Sequence, residues 1–435
     1  MREGTTVTLQ KVGALLEPTS LPRGTRIEHL VDSLKTLAAT AQAPVLKLLN
    51  ERIKTFTSSS TLWISNQLYI EDASIELLQR LKLESSIAEI HKELILTIGN
   101  HFKDEHLHVD DAESGMENLR WGAEKIGAVA VWAEGFTGTS ITVAAIDTGV
   151  RGTHEALRSN FRGDYGWFDP ETKSLTPLDI SGHGTHVMGS IVGANGIGVA
   201  PNATWIACRG CKSTKLCLES SLVACAQFVL CPTDPNGNNA NCSEAPRVVN
   251  NSWGIVHKAA NFSAVIAAWQ AAEIIPIFAI GNSGSLKTCG TVASPGDAIN
   301  VIGVGATTSD DFLLPQSSTG PAPDGHIKPD IVAPGARIYS AWWTRDNIYT
   351  ITSGTSTAAP HVAGAVALLL SVNSYLTYEQ VWTALTTTAV HDGTIANNVA
   401  QSCGNTSALT TVVPNNIFGY GRLNVLSAVA QITTA

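Results

Sequence analysis

Apolar positions along this chain change their period, and the change divides it. Between Arg26 and Leu37 they fall at Ile27, Leu30, Val31, Leu34 and Leu37, the three-to-four spacing of an amphipathic helix that extends through Val45–Leu49. Thr61–Ile70 predicts a strand or hairpin, Asp72-Ala73-Ser74 opens a second helix through Leu77, Leu78 and Leu81, and Ala88–Leu96 predicts a closing strand. Beyond Trp121 the alternation disappears. Ile141–Ile146, Trp205–Arg209, Val248–Gly254, Glu273–Ile280 and Ile299–Ala306 are near-continuous apolar runs, as expected of strands buried on both faces of a parallel sheet. Helical stretches such as Ser220–Val229 lie between them, so the main part is expected to be α/β, with a doubly wound, mostly parallel sheet. Residues 1–113 are read as a small α+β unit with a polar linker, and residues 114–435 as the main domain.

Composition narrows this picture. The 435 residues are 44% hydrophobic and 15% charged, enough for a full core plus a second small domain. A formal net charge of −9 argues against nucleic acid or anionic membrane as partners, and the apolar stretch Ala365–Val372 is too short for a bilayer span. The N-terminus, Met1-Arg2-Glu3-Gly4, shows no apolar secretion signal. All 8 cysteines lie at or beyond Cys208, six of them between Cys208 and Cys242; the even count favours disulfides over free thiols. A zinc knuckle at Cys208-Arg209-Gly210-Cys211 is the other reading, although no second pair has zinc-finger spacing. Glycosylation sequons at Asn202, Asn241, Asn261 and Asn405 agree with an extracellular life, whereas Asn250 heads one inside an expected strand.

Candidate chemistry gathers where strands or loops switch to helices. Thr352-Ser353-Gly354-Thr355-Ser356 runs into the small-residue apolar stretch Thr357–Leu370, with Pro360 suited to the first turn of a buried helix. Ser356 at that helix start has free backbone N–H groups and a positive helix end beside it, or it is simply a cap. Asp147 follows the strand Ile141–Ile146, at the sheet edge where open α/β folds keep their sites. His183 and His186 stand three apart at another helix start; packing and zinc are the rival readings, but no acid separates them as a zincin requires. Aspartate, histidine and serine thus occur in order, each in a glycine-rich turn.

These residues resemble the subtilisin family of serine proteases. The matching segments are Ala145-Ile146-Asp147-Thr148-Gly149, Gly182-His183-Gly184-Thr185-His186-Val187, Ala279-Ile280-Gly281-Asn282-Ser283-Gly284 and Gly354-Thr355-Ser356 onward, between about Trp121 and the C-terminus. The wording Asn250-Asn251-Ser252-Trp253-Gly254 is closer to the bacillopeptidase F-like branch. The resemblance implies Ser356 as nucleophile, His183 as general base, Asp147 as its orienting carboxylate and Asn282 as an oxyanion donor. It also implies a substrate pocket walled by Ser252, Trp253 and Gly254 on one side and by Ala279, Ile280 and Gly281 on the other. Thr291–Pro295 would form its base, and a large apolar or aromatic residue would precede the scissile bond. Thr357 departs from the family, which has methionine after the serine.

By the same resemblance the N-terminal unit is a ferredoxin-like prodomain, an intramolecular inhibitor removed by a cut in the linker Asn100–Gly115. His101, His106 and His108 in that linker raise the idea of processing that quickens as pH falls. The expectation is a secreted, monomeric endopeptidase acting on proteins or peptides, with no cofactor and no metal. The alternatives are a catalytically silent relative serving as a binding module, and an esterase, which would need a Gly-x-Ser-x-Gly turn that this chain lacks.

Overall fold

The computed structural model describes residues 1, 4–5, 9, 21–98, 102–104, 120–256, 262–284, 288–391, 403 and 412–434. Apart from the backbone of Phe102–Asp104, the linker with His101, His106 and His108 lies outside them.

The amphipathic pattern at the N-terminus forms one continuous helix, α1 (Arg23–Asn50), with Ile27, Leu30, Val31, Leu34, Val45, Leu48 and Leu49 on its buried side. A hairpin follows, β1 (Ser58–Leu62) and β2 (Gln67–Glu71), joined through a 3-10 turn that ends at Asn66 in the left-handed region. Helix α2 (Ile75–Leu81) is capped by Ser74, whose hydroxyl accepts from Leu77 N. The expected closing strand is much shorter: within Ala88–Leu96 only β3 (Ile95–Leu96) is extended and paired, and it does not join the hairpin. Among the described residues this sheet therefore has two strands, and a ferredoxin-like sheet is not formed. The reason is competition for backbone groups, because β3 meets two free edges of the main domain. A last short strand, β4 (Phe102–Asp104), also pairs away from the hairpin.

In the main domain the elements follow in the expected alternation. Those used below are β5 (Thr142–Asp147), β6 (Trp167–Phe168), α3 (His183–Val192), β7 (Thr204–Arg209), β8 (Cys217–Leu218), α4 (Glu219–Leu230), β9 (Val248–Asn251), β10 (Ile255–Val256) and α5 (Ser263–Ala271). After these come β11 (Ile275–Ala279), β12 (Ala293–Ser294), β13 (Ile302–Thr307), β14 (Ile331–Pro334), β15 (Ile338–Ala341), β16 (Tyr349–Ser353) and α6 (Thr355–Val372). Seven strands make one parallel sheet in the order β14-β13-β11-β9-β5-β7-β6. Its switch point lies between β5 and β9, from which the chain winds outward in both directions. Ligands in such sheets bind at the carboxyl ends beside the switch, where Asp147 and Ser252 emerge.

One face of the sheet is covered by α3 and α6, the other by α4, α5 and the first half of α1. Helix α6 is long and apolar enough to cross a membrane by composition, but it is buried in the protein along almost its whole length. It begins at Thr355, so Pro360 sits in its second turn and not, as expected, in its first. The cysteines pair as Cys208–Cys225, Cys211–Cys217, Cys231–Cys242 and Cys289–Cys403. Cys208 and Cys211 thus belong to different disulfides, which removes the zinc reading.

Candidate active site

Asp147 is the last residue of β5 and is almost wholly buried. Its Oδ1 accepts from Thr148 N at 2.7 Å and faces His183 Nδ1 at 2.8 Å. A carboxylate oxygen can only accept, so Nδ1 carries the proton and Nε2 is the nitrogen left for chemistry. His183 opens α3, and the turn before it is fixed by Asp179, a residue that the sequence reading passed over. Asp179 Oδ1 accepts from Ser181 N and Gly182 N at 2.9 Å each and from Thr148 Oγ1 at 3.0 Å. Its Oδ2 accepts from Thr185 N at 3.0 Å and Thr185 Oγ1 at 2.6 Å. One carboxylate therefore ties the end of β5 to the start of α3. Its signal was legible as an acid three residues before a helix-initiating glycine. His186 faces elsewhere: its Nε2 lies 2.9 Å from Ile338 O, which makes it a packing histidine.

Ser356 is the second residue of α6, with its Oγ buried and making no hydrogen bond. Asn282 follows β11, and its Oδ1 accepts from Thr355 N at 2.8 Å and Thr355 Oγ1 at 2.9 Å. That pair of donors orients the amide, so Nδ2, also buried and unbonded, points the other way. A Cβ placed on Gly354 would lie 3.1 Å from Asn282 Nδ2 and 3.4 Å from Ser356 Oγ, so both atoms border one small space above a bare glycine. A buried amide donor without an acceptor costs stability, and such a group is where a ligand oxygen is most readily held.

Pro360 explains another contact. It has no N–H to give Ser356 O, four residues earlier in the helix. Ser252 Oγ donates to that carbonyl at 3.2 Å and itself accepts from Asn250 Nδ2 at 2.9 Å. Ser252, expected as a pocket wall, thus holds the backbone of Ser356. Thr357, where the family has methionine, donates its hydroxyl to Gly335 O at 3.0 Å and Gly354 O at 2.8 Å, steadying the turn before the helix.

The remaining wall residues divide. Trp253 is not in the pocket. Its ring is buried against Phe262 and Phe278 and its Nε1 donates to Ile146 O at 2.9 Å, because successive side chains along an extended segment point to opposite faces. Ala279 and Ile280 are buried, with Ile280 O accepting from Ala293 N at 2.7 Å. Gly254 and Gly281 do face one slot: a Cβ on either would come within 3.0 Å of the Ala293 methyl. Ala293 therefore fills the base between them. Among the described residues no three His, Cys, Asp or Glu side chains converge to hold a metal ion.

The chemistry these groups can carry is acyl transfer to a serine hydroxyl, and by class the protein is a serine hydrolase. Comparison with known proteins narrows this. The model of the subtilase family matches residues 138–421. Bacillopeptidase F of Bacillus subtilis (strain 168) is 31% identical over 433 residues, covering 93% of this chain. Subtilisin E of the same organism is 31% identical over 71% of the chain and 74% of its own length. Alkaline serine exoprotease A of Vibrio alginolyticus is 31% identical over 72% of the chain and 53% of its own length. The chain belongs to the subtilase family of serine endopeptidases, and it spans 28% of the length of bacillopeptidase F.

Proposed function

We propose that this chain cuts peptide bonds through an acyl-enzyme, using Asp147, His183 and Ser356 with Asn282, and that residues 1–113 first hold it silent. The observation that carries the reading is the course of the chain around β3. Ile95 and Leu96 pair antiparallel with Leu218 and Cys217. Thr97 exchanges two backbone hydrogen bonds with Gly254, at 2.9 and 2.8 Å, and Ile98 N donates to Thr214 O at 2.9 Å. A peptide continuing in this register runs antiparallel to Ser252–Gly254 and reaches Ser252, whose hydroxyl is bonded to Ser356 O. Beyond it β4 pairs with β16, the strand that leads directly into Gly354 and Ser356. On this reading the chain passes the nucleophile between β3 and β4, as a substrate must. In this reading the bond cut in processing lies between Ile98 and Phe102, at the near end of the linker.

In the reaction, Ser356 Oγ attacks the carbonyl carbon while its proton passes to His183 Nε2. Asp147 keeps the other imidazole proton on Nδ1 and stabilises the charge that forms. The carbonyl oxygen becomes an oxyanion held by Asn282 Nδ2 and Ser356 N–H, one of the first-turn amides that no helix satisfies internally. Collapse expels the amine, which takes the proton from His183, and water then releases the acyl group by the same steps. Leu96 and Ile98 are buried in the groove, which fits substrates with aliphatic residues at those two positions. Next to the bond the Ala293 methyl favours a small apolar residue over the large or aromatic one that the sequence suggested. The four disulfides support a secreted life. The substrates are proteins or peptides and the precursor is a monomer. Labelling by a fluorophosphonate tests the assignment: the parent protein should be labelled and Ser356→Ala should not, while that precursor stays uncut. Label that persists in Ser356→Ala, or a fully processed Ser356→Ala precursor purified alone, would overturn it.

A further inference from the structure

Helix α1 is divided between two cores. Its second half, with Val45, Leu48 and Leu49, packs on Leu77 and Leu81 in a small cluster of the N-terminal unit's own. Its first half does not. Ile27, Leu30, Val31 and Leu34 share a continuous apolar cluster with Phe228, Ala245, Trp269 and Ala272 of the main domain. At the helix start the Arg23 guanidinium donates to Ala272 O at 3.0 Å, Ala245 O at 2.9 Å and Pro246 O at 2.7 Å, and Arg26 is paired with Glu273. Gly24 lies against Ser243, where a Cβ would fall 2.2 Å from the hydroxyl and 2.8 Å from Cα. The Cys231–Cys242 disulfide holds that loop in place. A helix of this length spans about 42 Å, so its two ends serve different neighbours.

The N-terminal unit meets the main domain at further points along α4. Ile64 N donates to Gln227 Oε1 at 3.3 Å. Glu93 Oε1 accepts from Ser220 N at 3.0 Å at the start of that helix, and His91 Nε2 lies 3.3 Å from Glu219 Oε2. Among the described residues before the proposed cut, the run Ile95–Ile98 lies on the substrate groove, held there by a two-residue ladder and three more backbone hydrogen bonds.

We infer that the processed enzyme keeps its N-terminal fragment: α1 remains docked through Arg23 and the α4 face, while Ile95–Ile98 leaves the groove. The surface around Ala245 and Ala272 is thus a permanent binding site for this chain's own first helix, and the active form has two polypeptides. The inference rests on the precursor reading above, because only a cut after Ile98 makes two chains. Physically, the groove contact is short, exposes backbone when it opens and buries two side chains. The α1 contact buries an apolar stripe and three fully directed guanidinium bonds. A tethered strand can therefore leave while its fragment stays.

The test separates the two readings by making the cut artificially. In full-length Ser356→Ala, a recognition sequence for an unrelated protease replaces residues 99–101 and is cut, so that β4 stays with the main domain. The fragments are then run on a sizing column without denaturant and identified by intact mass. The expected result is co-elution in equal amounts, retained when Thr97→Pro disrupts the groove ladder. In the same background Arg23→Ala with Leu30→Ala should release the fragment, and Arg23→Ala alone should speed its dissociation about tenfold. With Ser356 intact and the same inserted sequence cut by the unrelated protease, the Thr97→Pro pair should hydrolyse a peptide substrate while still associated. Fragments that separate on cutting, or that separate with Thr97→Pro but hold with Arg23→Ala and Leu30→Ala, would overturn the inference. So would a co-eluting pair that gains activity only after the fragment is digested.

Discussion

Asn282 and Ser252 show how single side chains prepare the site before any substrate arrives. Asn282 is oriented at one end by Thr355 and left unbonded at the other, so its donor is aimed without needing to reorganise. Asn282→Leu should lower kcat by about 10²–10³-fold with little change in KM, a magnitude established in subtilisin itself. Equal losses in binding and turnover on steady-state assay would show that the amide does not act on the transition state. Ser252 is coupled to Pro360 through one carbonyl, Ser356 O. Ser252→Ala should leave that buried oxygen without a donor and destabilise the protein by about 1–3 kcal/mol. Adding Pro360→Ala restores a helix N–H to it, so the double variant should regain much of the loss in urea unfolding. Additive losses in the two variants would break the proposed link.

Among the elements, strands buried on both faces were legible because nothing interrupts their apolar runs, and β5, β9, β11 and β13 fall where the pattern put them. What the pattern could not show was partnership. Ile95–Leu96 reads as a strand, but its neighbour is β8 and that of the following Thr97 is Gly254, both far away in sequence, and no local spacing names them. Trp253 faces away from the expected pocket for a related reason: the residue adjacent to Ser252 must face the opposite way. Helix α6 starts earlier than Pro360 suggests, because a proline normally marks the first turn, whereas here Ser252 satisfies the carbonyl it leaves open. Asp147, His183, Ser356 and Asn282 stand out in the sequence only as a set in order, and their roles are those proposed above. The edge strand β8 owes its position to Cys211, whose N–H donates to Asp147 O at 3.1 Å and whose sulfur is bonded to Cys217. Replacing both cysteines by serine should raise KM about tenfold for peptides long enough to lie on β8, and leave kcat on a short ester unchanged. A uniform fall in kcat for both substrates would place the effect on the catalytic residues instead.

For the molecule as a whole, acid stability is set partly by a histidine that has no part in the chemistry. His361 lies within α6, fully buried, with Nδ1 2.8 Å from Thr357 O. Its Nε2 faces Gly122, where even a Cβ would come within 2.2 Å. Burial pushes its pKa down from 6.5 to about 4, only partly opposed by the Thr357 carbonyl. The unfolded chain takes up this proton near pH 6.5 and the folded one only near pH 4. The contribution is therefore complete above 6.5 and is lost as pH falls from 6.5 to about 4, by roughly 3 kcal/mol in all. His154, also held below its ordinary value by burial, acts in the same direction. Urea midpoints of the full-length Ser356→Ala protein, which cannot digest itself, should accordingly decline across this window. His361→Gln should be less stable than that protein at pH 7.5 but lose less on acidification, so the two curves converge toward pH 4. Parallel curves would mean that His361 does not titrate on unfolding, and that the acid sensitivity comes from carboxylates elsewhere.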